Sequence, residues 1–468
     1  MTRIPLPLLG ALLLTGCASV PQLGEAPKPA PVGRFAASES FKAPATEWPA
    51  DSWWTAYGDP QLDALMQEAL AGSPDLAEAA ARVRAADAQA RISRAATLPS
   101  LSANAQAAEV KQSYNNGFPA QFVPHGYNDT GRGTLDLNFD LDLWGRNRAA
   151  LAAATSEAEA ARMDAAETRL VLTTNLAAAY ADFARVTAER DAADTALRVR
   201  NDSAGLVGRR VEQQLANRGE GDRARAAAAA ARQDLAALDE ELVIARNRLA
   251  ALTGAGPDRG LTLKAPAARP STTFGLPPNL AADLLGRRPD LQAARLRAEA
   301  AAKRIKVARA GFYPDLNLTA FIGAQSLGLE NLTKSGSDIG QGALALSLPI
   351  FQGGRLEGAY RGARAEYDAA VAAYDRALVG ALRETADAAA SSRALETRLA
   401  AAREALAAGE GSYKVARLRY EGGLSTYLDL LTAEDQLIVQ RRIVAQLEAR
   451  ALTLDANLVR ALGGGFRA

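Results

Sequence analysis

An internal duplication constrains this 468-residue chain more than any other feature of its sequence. Pro74-Asp75-Leu76 begins one Ala- and Arg-rich segment, and Pro289-Asp290-Leu291 begins another 215 residues later. The first segment ends at Leu98-Pro99-Ser100-Leu101 and the second ends at Tyr313-Pro314-Asp315-Leu316, with the same offset. Two matches in register without a gap predict that the chain contains two copies of one structural unit.

After each of these breaks the periodicity changes from helical to alternating. Alternation predicts β-strands, because successive side chains of a strand point to opposite faces. The predicted strands cover residues of about 101–110, 133–144, 315–325 and 342–351. A long helical hairpin is predicted after each strand pair, at about 146–252 and 355–462. The expected divisions are a first repeat at 59–254, a linker at 255–279, a second repeat at 280–462 and a Gly-rich tail at 463–468.

The second predicted strand has one wholly apolar face, and its other face carries Asp136, Asp140 and Asp142. A soluble sandwich would bury the apolar face and expose the acidic one. A transmembrane barrel would place the apolar face against lipid and the acidic face against a water-filled lumen. We favour the second interpretation, in which the three aspartates line the lumen.

Four strands are too few to close a barrel, and an open sheet edge is not tolerated in lipid. Two copies of the chain would supply eight strands, and a barrel of that size is normally filled by side chains. Three copies would supply twelve strands, which leaves room for an aqueous passage. The strand count therefore favours a homotrimer.

The helical segments carry heptad patterns with many small residues. Tyr360, Tyr367 and Tyr374 recur every seven residues, which is typical of coiled-coil packing. A self-contained helical bundle is the alternative, but it does not explain why each hairpin is attached to a pair of amphipathic strands.

Composition argues against most enzyme chemistry. The chain has one Cys, at position 17, and one His, at position 125, so an intrachain disulfide is impossible and a typical zinc site lacks ligands. A Ser-His-Asp centre would depend on His125, which lies in a polar loop. The net charge of +1 gives no general attraction to nucleic acid. We expect no enzymatic activity, cofactor or metal.

The N-terminus has the features of an export signal. Arg3 precedes an apolar stretch, Ile4–Leu14, which is shorter than the roughly 20 residues needed to span a bilayer. Leu14-Thr15-Gly16-Cys17 resembles the lipobox of bacterial lipoproteins, so we expect a signal peptide at 1–16 and acylation of Cys17. The alternative is an ordinary signal peptide with an incidental Cys. The Pro-rich stretch that follows, 17–58, is expected to be an extended tether.

Nearly the whole mature chain resembles the outer-membrane factors of tripartite efflux pumps, the TolC/OprM-like group, in the NodT-type lipoprotein branch of RND efflux systems. The first half carries the resemblance in Trp53-Trp54, Asp59-Pro60-Gln61-Leu62 and Leu141-Asp142-Leu143-Trp144-Gly145-Arg146. The second half carries it in Arg288-Pro289-Asp290-Leu291, Ala308-Arg309-Ala310-Gly311-Phe312-Tyr313-Pro314, Leu348-Pro349-Ile350-Phe351 with Gly353-Gly354-Arg355, and Arg419-Tyr420-Glu421-Gly422-Gly423-Leu424-Ser425 with Tyr427-Leu428-Asp429-Leu430-Leu431.

The resemblance implies a mixed α and β membrane protein. In it, the duplicated strand pairs of three chains form a twelve-stranded β-barrel, continued by a twelve-helix α-barrel in the periplasm. It implies a passive exit duct in the outer membrane, a periplasmic adaptor that docks to the helical tips, and an inner-membrane RND pump. A duct for type I protein secretion and a coiled-coil lipoprotein without a channel are the alternatives.

The resemblance also implies a gate just past the second helical tip. Asp429 matches an acidic gate position, whereas Thr432 stands where the family often has Asp, so Glu434 or Asp435 is the expected substitute acid. The expected adaptor-docking residues at the two tips are Gly219, Tyr420, Gly422, Gly423, Leu424 and Ser425.

Overall fold

A computed structural model describes residues 20–115, 117, 119–268 and 275–467, so the expected signal peptide at 1–16 and Cys17 lie outside the described residues. The chain divides into two compact units. The first contains Arg82–Ala161 and Ala293–Tyr374, with the described residues up to Pro29. The second contains Ala30–Ala81, Arg162–Gln292 and the chain from Asp375 onwards.

Long helices dominate the described residues. The α-helices are α1 (Pro60–Gly72), α2 (Pro74–Ala95), α3 (Arg146–Glu212), α4 (Arg218–Leu252), α5 (Asp258–Leu261), α6 (Leu280–Arg287), α7 (Pro289–Ala310), α8 (Arg355–Glu421) and α9 (Tyr427–Leu462). The strands are β1 (Ser100–Val110), β2 (Asn128–Asp140), β3 (Asp315–Leu327) and β4 (Asp338–Ser347). None of the helices in this part of the chain combines the length and the apolarity needed to cross a membrane.

The two halves of the chain have matching elements. Helices α2 and α7 both have 22 residues, and α3 and α8 both have 67. Helix α4 has 35 residues and α9 has 36. At 1.5 Å per residue, each 67-residue helix is about 100 Å long. Each half therefore consists of a short helix, a strand pair and a long helical hairpin.

The four strands form one antiparallel sheet in the order β1-β2-β3-β4. The register places Leu137 opposite both Leu101 and Ala320, and Leu318 opposite both Phe139 and Leu344. Because directly opposed residues on paired strands share a face, one side of the sheet carries Leu101, Leu135, Leu137, Leu316, Leu318, Leu344 and Leu346. Leu327, opposite Thr130 at the far end of β3, lies on the other side. The polar residues of the alternating pattern lie on the other side.

Two strands end earlier than the sequence pattern predicts. Strand β2 stops at Asp140 and not near 144, and β4 stops at Ser347 and not near 351. The predicted strand position of Asp142 was wrong, because its backbone is left-handed, with φ of 43°. Its carboxylate accepts the backbone N–H groups of Asn147 and Arg148 at 3.0 Å each, which caps the start of α3.

Hydrogen bonds in the second unit join α1, α3 and the linker. Asp59 is the N-cap of α1 and accepts the Gln61 backbone N–H at 2.9 Å. The hydroxyl of Tyr180, on α3, donates to the other oxygen of Asp59 at 2.6 Å, and the Ala267 N–H donates to that oxygen at 2.8 Å. These bonds hold the start of α1, the helix α3 and the linker together, and Tyr180 belongs to the same buried cluster as Trp53.

The N-terminal segment lies along α8. In the first unit the hydroxyl of Tyr367 donates to the Pro27 carbonyl at 2.9 Å. In the second unit the Ala30 N–H donates to the Asp375 carboxylate at 2.8 Å. Between residues 20 and 58 the described chain forms two short 3-10 helices, Val32–Arg34 and Trp53–Tyr57, and one isolated β-bridge, between Ala45 and Leu276. Its proline content disfavours longer regular elements.

Candidate functional site at the helical tips and the sheet

The second tip is the turn between α8 and α9. Gly423 has φ of 75°, a left-handed conformation that glycine adopts without steric cost. Thr426 and Asp429 form a reciprocal capping box at the start of α9, in which the Asp429 carboxylate accepts the Thr426 N–H at 3.0 Å and its hydroxyl at 2.9 Å. The Thr426 bonds hold the pKa of Asp429 below its usual value. Asp429 therefore initiates the helix.

A tyrosine pair forms the core of this tip. Tyr420 and Tyr427 are 2% and 1% exposed, and their ring centroids are 5.8 Å apart. The Arg210 guanidinium, from α3, lies 4.8 Å from the Tyr420 ring centroid and donates to the Tyr420 carbonyl at 2.8 Å. Burial raises the pKa of Tyr427 to about 12. Tyr420, expected at the docking surface, instead packs the two hairpins together.

The remaining predicted docking residues lie in different surroundings. Leu424 is 74% exposed, whereas the Ser425 hydroxyl is buried and has no hydrogen-bond partner among the described residues. Gly422 lies against the Leu418 carbonyl at the end of α8. Leu424 is thus the predicted docking residue with the largest exposed apolar side chain.

The first tip is the turn between α3, which ends at Glu212, and α4, which begins at Arg218. Asn217 is the N-cap of α4 and its side chain accepts the Glu220 N–H at 2.9 Å, so the helix starts there. Gly219 consequently lies in the first turn of α4. Leu215, in the turn itself, is 65% exposed.

A buried ion cluster joins the two long hairpins near the tips. Glu434, on α9, is 1% exposed and receives hydrogen bonds from the Arg200 guanidinium and, at 2.6 Å, from the Ser203 hydroxyl. A second nitrogen of Arg200 pairs with Asp435. Burial raises the pKa of Glu434, although Ser203 and Arg200 both act to lower it.

We call Arg200, Ser203, Glu434 and Asp435 the clamp. Sequence reasoning identified both acids but missed Arg200 and Ser203, which lie more than 230 residues away along the chain. Thr432 is not part of the clamp, because its hydroxyl donates to the Leu428 carbonyl of the same helix at 2.8 Å.

The three predicted lumen aspartates occupy distinct positions. Asp136 lies on the polar face of β2, where one of its oxygens accepts Asn104 at 2.9 Å and Thr134 at 2.7 Å. Asp140 pairs with Arg146 at 2.8 Å at the junction with α3. Asp142 lies in the turn that follows the strand and caps α3, as described above.

The opposite face of the sheet is apolar and exposed. Leu101, Ile322 and Leu346 are 68%, 67% and 70% exposed, respectively. Exposed apolar patches of this kind mark surfaces that contact another protein or a membrane.

Comparisons with known proteins agree with this architecture. The family model described as "Outer membrane efflux protein" matches residues 65–255 and 280–464. The solved outer membrane protein VceC of Vibrio cholerae is 42% identical, with a TM-score of 0.86, covering 90% of this chain and 100% of that chain.

Two curated relatives match over almost their whole length. The multidrug resistance outer membrane protein MdtP of Escherichia coli is 30% identical, over 97% of this chain and 95% of its own. The toluene efflux pump outer membrane protein TtgF of Pseudomonas putida is 31% identical, over the same shares of the two chains. With the paired repeats, the sheet and the helical tips in place, the chain belongs to the outer membrane efflux protein family.

Proposed function

We propose that three copies of this chain form one passive exit duct in the outer membrane, through which a tripartite efflux system releases small molecules. The observation that carries the proposal is the sheet: its apolar face is exposed, and β1 and β4 are unpaired edges. In lipid, an open edge leaves unsatisfied backbone N–H and C=O groups, each of which costs several kcal/mol. If β4 of each copy pairs with β1 of the next, three copies form a closed barrel of twelve strands in which no edge is left unpaired.

The periplasmic partners follow from the tips. The exposed leucines at the two turns, Leu215 and Leu424, offer apolar contacts to a periplasmic adaptor, and the adaptor connects the duct to an inner-membrane RND pump. Acylation of Cys17 would anchor the tether in the outer-membrane leaflet. The segment that lies along α8 would then continue from this anchor.

The clamp is proposed as the gate element. It ties α9, in the second hairpin, to α3, in the first, and it lies next to the tip where the resemblance expects closure. Separating the two hairpins would expose the Glu434 carboxylate and break its bonds. In this assignment Glu434 has the gating role, while Asp429 supports it by starting α9.

The first experiment is to size the purified, acylated protein in detergent and then record its conductance in a planar bilayer. A trimer with a small, mostly closed conductance supports the duct. A monomer without conductance overturns it and leaves a coiled-coil lipoprotein. Export of a small dye, but not of a polypeptide, by cells that contain a matching pump and adaptor separates efflux from type I secretion.

A further inference from the structure

The polar face of the sheet contains one side-chain group that the duct alone does not explain. The strands contain a single basic residue, Arg132, and six acidic ones. By the register, Asp136, Asp140 and Asp315 lie on the polar face, whereas Glu109, Asp129 and Asp338 fall on the face that carries the leucines. Phe321 is the only aromatic residue on the polar face of these strands. The Arg132 guanidinium lies 5.2 Å from the Phe321 ring centroid, within cation–π range.

The backbone makes this contact possible. Phe321 pairs with Asp136 across β2 and β3, while Arg132 pairs with Gln325, so one row of residues separates Arg132 from Phe321. That row contains Gly323, which has no side chain to block the approach. A Cβ atom there would also meet the Gly133 carbonyl oxygen at 2.0 Å. The Arg132 side chain can therefore extend across the sheet onto the ring.

The hydrogen bonds of the polar face distinguish Asp136, whose carboxylate is hydrogen-bonded, from Arg132, whose guanidinium is not. Asp136 is engaged, because the same oxygen accepts both Asn104 and Thr134. Arg132 interacts electrostatically with Asp136 but forms no hydrogen bond or salt bridge within the described residues, so its planar set of N–H donors remains open to a ligand. Arginine binds carboxylates through two parallel N–H···O bonds. The aromatic ring beneath it offers an apolar surface next to those donors.

We infer that Arg132 and Phe321 form a contact site for aromatic carboxylates in the lumen of the duct. The inference rests on the proposed function, because the polar face is a lumen only if the sheet closes into a barrel. An aromatic carboxylate would place its carboxylate on the Arg132 guanidinium and its ring against Phe321. Three such sites would be present in one trimer.

The test is ligand-observed NMR on the intact protein in detergent, after sizing and a conductance recording of the same sample. Benzoate is titrated, with cyclohexanecarboxylate and benzylamine as probes of ring and charge. Arg132→Gln and Phe321→Leu should each weaken benzoate binding by about threefold or more, the scale of an exposed cation–π contact. Lys111→Gln, outside the strands, and Phe139→Leu, on the apolar face, are the matched controls and should bind benzoate as the unaltered chain does.

The outcomes distinguish failure of the Arg132–Phe321 site from failure of the proposed duct. Equal benzoate binding by all four variants, or tighter binding of benzylamine than benzoate, overturns the site while a trimer with conductance keeps the duct. Equal binding of cyclohexanecarboxylate removes Phe321 from the proposal. A monomer without conductance overturns both, because no lumen then exists.

Discussion

Removal of Arg200 from the clamp should open the duct. The change Arg200→Met keeps much of the side-chain volume but leaves the Glu434 carboxylate, which is 1% exposed, without its ion partner. Removing one member of a buried ion pair costs about 3–5 kcal/mol, because the other charge stays buried without compensation. The Ser203 hydroxyl still donates at 2.6 Å and offsets part of that cost.

The size of the change in open probability depends on whether the Glu434 carboxylate becomes exposed to water in the open state. If opening exposes its carboxylate to water, the cost falls on the closed state only, and a shift of about 1.4 kcal/mol changes the open-to-closed ratio tenfold. We therefore expect at least a tenfold rise in open probability in planar bilayers. Arg200→Met combined with Glu434→Gln should return most of the closed behaviour, because the uncompensated charge is gone.

A matched control tests the position of the clamp. Arg441→Met removes an exposed pair between α9 and Glu410, which is formed at 3.1 Å, and it should leave the conductance unchanged because exposed ion pairs contribute little. The reasoning is refuted if Arg200→Met leaves a trimer with the same open probability as the unaltered protein. It is also refuted if the double variant opens as widely as the single one.

Three further predictions follow from the same structure. Burial raises the pKa of Glu434, so its carboxyl group binds a proton more tightly in the closed state than in an open state where it is solvated. Acidification from neutral pH should therefore lower the open probability, and Glu434→Gln should abolish this pH dependence. Leu424→Glu places a charge on the exposed apolar tip and should weaken capture of the adaptor in pull-down experiments by about tenfold, while the trimer stays intact. An unchanged yield of captured adaptor would exclude Leu424 from the docking surface. Leu344→Lys, nearer the middle of β4 and on its exposed apolar face, should cost about 2–4 kcal/mol near the bilayer centre and reduce the amount of inserted trimer in membrane fractions. Ala343→Lys, at the same depth on the polar face, should insert normally.

Local periodicity determined the elements of the fold. The 215-residue offset between Pro74 and Pro289 predicted two matching halves, and the corresponding helices each have 22 residues. Alternation predicted the strands and the side of the sheet to which each residue belongs, because the side-chain period of a strand is two. These features were readable because each depends on residues that are close together in the chain.

Tertiary structure decided the surroundings of the individual functional side chains. The pairing of Arg200 with Glu434 joins two residues that are 234 positions apart in the sequence, and no local pattern predicts that they meet. The burial of Tyr420 and the turn at Asp142 were likewise set by packing and by the caps of neighbouring helices. A sequence shows which residues can carry charge or bury a ring, but only the folded chain places two such residues within bonding distance, because that distance depends on how entire helices pack.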